Sequence, residues 1–263
     1  MMQNESNKIK YHSKFLFYYF FLSIVAFCLW PLFLLKPRHS RNFRWASKFS
    51  VVITSVLNVN FKLRNGEVLA EDRGAVIVAN HQSSLDVLGM LSICKVAYKL
   101  TVAAKNELKY VWPFGLAAFL AGVIFVDRSN PKQAYKALLT TSHIMVQQKT
   151  KIWIYPEGTR NKDTTKFMTF KKGAFVMAVF AQVPIIPVVY SPYYFIDKEK
   201  HIFKKGHVIM QCLEPIPTKG LTLDDVPELI KKIRDKMFIT YIQLTKEVLD
   251  NLTADSLVTY THL

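Results

Sequence analysis

Hydrophobic positions come first in this chain and come unbroken. Between Lys14 and Lys36 lies FLFYYFFLSIVAFCLWPLFLL, residues 15–35, with no charged side chain. At about 1.5 Å rise per residue such a helix is roughly 30 Å long, the thickness of a bilayer's hydrocarbon core. Pro31 falls in its last turn, where a membrane helix tolerates it. Leu34, Leu35 and Lys36 follow in place of a small-residue cleavage site, which argues against a removed signal peptide. A second apolar run, Phe49 to Leu57, is too short to span and reads as an interfacial or re-entrant helix beside Arg44 and Lys48. The pattern predicts either one crossing or a helical hairpin lying in one leaflet.

Beyond this segment, short apolar runs alternate with helix-like stretches. AVIVAN (Ala75 to Asn80) is β-branched and continuously apolar, the signature of a buried strand. Ser83 or Ser84 can cap a helix through Leu85 to Cys94. YKLTVAAK, VIFVDR, KIWIYP, VPIIPVVY and KKGHVIMQCL supply further strands. Between them, ELKYVWPFGLAAFLAG is an apolar helix interrupted by Pro113 and Gly115, and Pro131 opens a helix running to about Gln148. Near the end, Leu229, Ile230, Ile233, Met237, Tyr241 and Leu244 recur at helical spacing after Asp224 and Asp225. Strands separated by helices predict an α/β fold: a single domain with a mostly parallel sheet flanked by helices. The expected organisation is a membrane anchor over 1–62, an apolar helix at 15–35 plus a shorter apolar and basic segment at 42–62, then one domain over 63–250 and a tail over 251–263.

Charge sharpens this. The formal net charge is +16, while 51% of the 263 residues are apolar. That excludes disorder and favours polyanionic partners: an anionic membrane surface, a phosphorylated substrate or nucleic acid. Lys36, Arg38, Arg41, Arg44 and Lys48 outnumber Lys8, Lys10 and Lys14 across the apolar run, placing the bulk of the chain on the cytosolic side. The three cysteines, Cys28, Cys94 and Cys212, are scattered and imply no disulfide framework. No zinc-finger, aromatic RNA-binding or helix-turn-helix pattern occurs, so nucleic acid is not expected as a partner. There is no H-E-x-x-H and no clustered carboxylate or Cys/His ligand set, so no metal is expected either.

The chemistry concentrates just after the strands. In NHQSSLD, His81 precedes Asp86 by five residues. On one continuous helix the two would point about 140° apart, at ~100° per residue, so a working pair needs His81 in the loop and Asp86 in the first turn. A carboxylate there would fix the imidazole tautomer and leave the other nitrogen as a base. Ser83-x-x-Asp86 equally approximates a capping box, and the residues alone leave both readings open. In YPEGTRN, Gly158 supplies the unusual backbone of a sharp turn, while Thr159, backbone N–H groups and the Arg160 fork suit a phosphate. A surface turn with a solvated arginine fits as well. Arg128 and the Lys171–Lys172 pair carry the same ambiguity. A serine nucleophile would need something like G-x-S-x-G, which is absent.

Taken together and in order, four blocks resemble the glycerolipid acyltransferase family, most closely the 1-acyl-sn-glycerol-3-phosphate (lysophosphatidic acid) acyltransferases. NHQSSLD matches an N-H-x-x-x-x-D block, GVIFVDR a G-x-x-F-x-x-R block, YPEGTR an F/Y-P-E-G-T-R block, and VPIIPV an apolar V-P-I-x-P-V block. The resemblance covers about Val76 to Leu213. It implies that His81 is the general base for the acceptor's sn-2 hydroxyl and that Asp86 orients it. It further implies that Arg128, Glu157, Gly158, Thr159 and Arg160 bind the acceptor's phosphate, with Glu157 acting through Arg160. Pro184 and Pro187 would help form the acyl-chain site. Acyl-CoA is the implied co-substrate, lysophosphatidic acid the acceptor and phosphatidic acid the product, with no cofactor. Another glycerophosphate or lysophospholipid acceptor fits the same blocks. Membrane lipids are the implied surroundings, and the endoplasmic reticulum membrane, with the domain facing the cytosol, the implied location.

Overall fold

A computed structural model of the chain describes residues 2–127, 131–163 and 165–260. Two helices lead, α1 (Met2–Phe33) and α2 (Arg41–Leu57), followed by β1 (Val59–Arg64), β2 (Ala75–Ala79) and α3 (Asp86–Ser92). Next come β3 (Leu100–Lys105), α4 (Phe114–Leu120), β4 (Ile124–Val126), α5 (Pro131–Gln148), β5 (Lys151–Ile154), α6 (Gly173–Ala181) and β6 (Ile185–Tyr190). A small hairpin, β7 (Ile196–Asp197) with β8 (Ile202–Phe203), precedes β9 (Gly206–Cys212) and the long α7 (Val226–Tyr260).

The main sheet has the order β1-β9-β6-β2-β5-β3-β4. Five adjacent strands, β6-β2-β5-β3-β4, run parallel, as the alternation of elements predicts. β9 pairs antiparallel with β6, and β1 lies parallel to β9, so this side of the sheet is reversed. All five parallel strands therefore present their carboxyl ends on one side of the molecule, where sites gather in open α/β sheets.

Period-2 alternation divides the sheet's side chains between two cores. Ala75, Ile77 and Ala79 of β2, with Trp153, Ile186, Val188 and Met210, face one cluster; Val76, Val78, Ile152, Ile185 and Ile209 face the other. Each large side chain buried here contributes about 1.5–3 kcal/mol. The second face is covered by α6 and α7, whose Leu229, Ile233, Met237, Tyr241 and Leu244 form the expected stripe.

α1 departs from the picture of a detached anchor. Its Tyr11, Tyr18, Val25, Ala26, Leu29 and Phe33 belong to the same core cluster as β2 and β6, and the helix packs on α2 and α4. Its other side keeps Leu16, Phe20, Ile24 and Phe27 exposed, and α2 likewise exposes Trp45, Phe49, Val52 and Val56. Only 22% of the most apolar 18-residue window of Glu5–Phe33 is buried, so this is no ordinary core helix. The expected boundary at 62/63 falls inside β1, and the expected tail at 251 is continuous with α7.

The interrupted helix around Pro113 resolves into a short 3-10 segment, Asn106–Tyr110, and α4. Gly115 is required there: a Cβ would stand 2.1 Å from the Lys109 carbonyl oxygen.

Candidate functional site

The site forms where β2, β5 and β6 end side by side. β2 stops at Ala79, and the Asn80 side chain takes over its pairing with β6: the amide donates to the Tyr190 carbonyl at 3.1 Å and accepts from the Tyr190 N–H at 2.8 Å. An amide side chain thus mimics one more backbone rung, and the following loop peels away from the sheet. The Gln82 amide donates to the Ser191 carbonyl at 3.0 Å. No local sequence pattern assigns either residue this role.

His81 sits in that loop, and Asp86 is the first residue of α3. His81 Nδ1 lies 2.6 Å from Asp86 Oδ2. The same oxygen accepts the backbone N–H groups of Gln82 at 2.7 Å and Ser83 at 3.0 Å. With Oδ2 already accepting two backbone N–H groups, the facing Nδ1 is assigned as a donor, which leaves Nε2 as the lone-pair nitrogen. Among the described residues Nε2 has no hydrogen-bond partner, and the side chain keeps 20% of its surface exposed while Asp86 is completely buried. The capping reading holds in altered form. Asp86 reaches back to the Ser83 N–H as in a capping box, but the Ser83 hydroxyl accepts from Leu85, at 3.2 Å, and Asp86 starts the helix instead of standing third in it. One carboxylate therefore shapes the loop and orients the imidazole together.

The loop is also gripped from β5. The His81 N–H donates to Glu157 Oε1 at 2.9 Å, and the Asn161 N–H donates to the His81 carbonyl at 2.7 Å. The second Glu157 oxygen accepts the Met168 N–H at 3.1 Å. Glu157 is thus turned inward onto two backbone groups instead of acting through Arg160. Burial raises its pKa, an effect opposed by those two N–H groups. A raised carboxyl pKa means that stability is intact at low pH and declines as pH rises through the folded-state value. Glu157→Gln is expected to remove that decline while leaving one N–H without an acceptor, lowering stability at acidic pH by about 1–3 kcal/mol. Thermal melting of both proteins across pH checks this.

Gly158 adopts φ of +75°, closing the turn with its N–H on the Tyr155 carbonyl at 3.1 Å. Thr159 and Arg160 are exposed at its tip. Arg160 directly precedes the Asn161 N–H that holds His81, so the turn that carries it adjoins the dyad loop. Arg128 lies outside the described residues. Pro184 and Pro187 are not beside the dyad in the same way. Pro187 is buried within β6, in register with Val78, and Pro184 precedes β6 at the end of the sheet opposite the site. Lys171 contributes its backbone N–H to the Pro156 carbonyl, and both Lys171 and Lys172 side chains are exposed. Among the described residues no three His, Cys, Asp or Glu side chains gather as a metal would require.

Three contributions were not visible in the sequence. Tyr18 and Tyr19 of α1 donate to Ser84, to its carbonyl at 2.8 Å and its hydroxyl at 3.0 Å, so the N-terminal helix braces the loop that carries His81. The Tyr190 hydroxyl donates to the Asp86 carbonyl at 2.9 Å. Tyr155 stacks on His81 with ring centroids 4.1 Å apart. Each depends on which strands and helices are neighbours, which no local pattern states.

Comparison with known proteins gives the family. The sequence pattern of the acyltransferase family matches residues 60–191. The human 1-acyl-sn-glycerol-3-phosphate acyltransferase beta is 42% identical over 194 residues, 73% of this chain and 69% of that protein. The human alpha form is 34% identical over 243 residues, 92% and 85% of the two chains. The crystal structure of the 1-acyl-sn-glycerophosphate (LPA) acyltransferase PlsC from Thermotoga maritima superposes with a TM-score of 0.70 at 27% identity, covering 90% of this chain and 97% of that one. With a matching family pattern, relatives of this identity and coverage, and a shared fold, this chain belongs to the acyltransferase family.

Proposed function

We propose that this enzyme transfers a fatty acyl group from acyl-CoA to the sn-2 hydroxyl of 1-acyl-sn-glycerol-3-phosphate, giving phosphatidic acid. The observation that carries the reading is the His81–Asp86 pair, with Nδ1 fixed on a buried carboxylate and the imidazole side chain partly exposed. In this scheme Nε2 removes the proton from the acceptor hydroxyl as its oxygen attacks the thioester carbonyl. Asp86 stabilises the imidazolium that forms. The C–S bond then breaks, and the proton on His81 passes to the departing sulfur. No side chain becomes acylated. A thioester is already activated, so a positioned base, worth about 10²–10⁴, together with proximity suffices.

The names of the relatives support lysophosphatidic acid as the acceptor. Arg160, exposed on the turn whose next residue holds His81, is the group we assign to the acceptor's phosphate, with Thr159 and the Gly158 turn as further donors; Arg128 is assigned the same task on the resemblance alone. Arg160→Ala is expected to raise the KM for lysophosphatidic acid at least tenfold and that for acyl-CoA less than twofold. Equal effects on both would remove the assignment.

The exposed apolar stripes of α1 and α2, with Arg44 over Tyr98 and Lys48 over Trp45, support attachment to a membrane. Because the inner face of α1 docks on the domain from Tyr11 to Phe33, the two helices are read as lying in one leaflet, the domain facing the cytosol at the endoplasmic reticulum. That arrangement would deliver a lipid acceptor from the bilayer directly to the loop that Tyr18 and Tyr19 brace.

A further inference from the structure

We propose that Tyr155 is the positioning residue for His81: its aromatic face fixes the imidazole plane and stabilises the protonated ring that forms during transfer. The inference rests on the reading of His81 as the base and deepens it.

The geometry comes from the sheet. β2 and β5 are parallel neighbours with Val78 opposite Ile154, so the chain positions just beyond them stand side by side. Trp153 belongs to the same face as Ile77 and Ala79, and Tyr155 packs against that same cluster. His81 and Tyr155 thereby emerge at adjacent strand ends on one side of the sheet, and their rings stack with centroids 4.1 Å apart and planes inclined by only 17°. The platform is held from behind. Tyr155 meets Trp153 edge-on at 5.9 Å, Trp153 meets Tyr190 edge-on at 6.2 Å, and both of these are fully buried.

Two physical consequences follow. One hydrogen bond, Nδ1 to Asp86, leaves an imidazole free to rock about the bond axis. A flat ring against one face removes that freedom and so fixes the direction in which Nε2 points. Then, as the proton moves from the acceptor oxygen to Nε2, the imidazole becomes a cation directly over the electron-rich face of an aromatic ring, an attraction made in the charged state and largely absent in the neutral one. The phenol itself is buried, which pushes its pKa well above the ordinary value and keeps it neutral, so the ring and not the hydroxyl is the working part. The other ionisable groups near His81 are the Asp86 carboxylate on Nδ1, the Glu157 carboxylate under its backbone N–H, and Arg160 on the adjoining turn. Tyr18, Tyr190 and Tyr193 surround Asp86. Tyr155 also acts on Tyr190 and Tyr193, and Tyr155→Phe, which removes the same hydroxyl as Tyr155→Leu, controls for that.

The test compares full-length Tyr155→Phe and Tyr155→Leu in lipid vesicles, measuring kcat, the KM of each substrate and the pH–rate profile. Tyr155→Phe keeps the ring and is expected to retain kcat within about twofold with an unmoved acid limb. Tyr155→Leu is expected to lose about tenfold or more in kcat with both KM values held within about twofold, and its acid limb moves to lower pH by about half a unit or more, because the protonated imidazole has lost a partner. A merely space-filling role would not move that limb. Should the leucine variant fail to fold, Tyr155→Met makes the same comparison. A folded non-aromatic variant with wild-type kcat and an unmoved acid limb overturns the proposal, as does a phenylalanine variant that loses as much as leucine. A His81→Ala variant run in parallel separates the two readings: if it retains turnover the base assignment fails, whereas a dead His81→Ala beside an unaffected Tyr155→Leu removes only this inference.

Discussion

His81→Ala is expected to lower kcat by about 10²–10⁴-fold without unfolding the protein. The side chain is partly exposed, and among the described residues its ring stacks on Tyr155 and bonds Asp86 Oδ2. Its removal leaves Asp86 with the Gln82 and Ser83 N–H groups, so the buried carboxylate keeps two donors. The backbone of residue 81 stays clamped between Glu157 and the Asn161 N–H, neither of which involves the imidazole. Loss of the base should therefore appear in turnover and not in the melting temperature. Thiol release from acyl-CoA, measured beside a thermal melt, checks both halves; wild-type turnover by the variant would end the assignment.

Asp86→Asn is expected to cost about 10²–10⁴ in kcat, of the size seen when an orienting carboxylate is neutralised beside a catalytic histidine. The amide is the same shape, and its oxygen can take the place of Oδ2 toward the loop N–H groups. What disappears is the negative charge that stabilises the imidazolium and selects the Nδ1-protonated tautomer. Asp86→Ala is a different experiment: it strands the Gln82 and Ser83 N–H groups as well, and stability falls with activity. The contrast separates the two tasks that the carboxylate combines. An asparagine variant that melts early but turns over normally would reduce Asp86 to a cap.

How far the sequence carries toward this picture differs by element. The strand at Ala75–Ala79 and the helix around Ile233 were legible because one-sided burial writes itself into spacing of two or of three and four. The His81–Asp86 pairing was legible as a geometric requirement, loop then first turn, but no local pattern shows that Oδ2 holds the Ser83 N–H and the imidazole together. Glu157 was placed in the site for a different reason from the one the structure gives: no local pattern tells whether a carboxylate after a strand faces a ligand or a neighbouring backbone. Pro187 lies in β6 and Pro184 just before it, and the direction of that strand puts Pro184 away from the dyad. α1 was legible as an apolar helix, but its docking through Tyr18 and Tyr19 onto Ser84 is a contact across more than sixty residues, set by tertiary packing alone. The stack of Tyr155 on His81 likewise requires knowing that β5 lies beside β2.

The measurement that bears most directly on the central claim is acceptor-dependent thiol release by the purified wild-type enzyme, given oleoyl-CoA with and without lysophosphatidic acid, beside His81→Ala. Direct transfer by a histidine base requires that thiol appear only when the lipid alcohol is present, one thiol per phosphatidic acid formed, and that His81→Ala release almost none. A stoichiometric burst of thiol from the wild type without acceptor, or equal turnover by the variant, would contradict it.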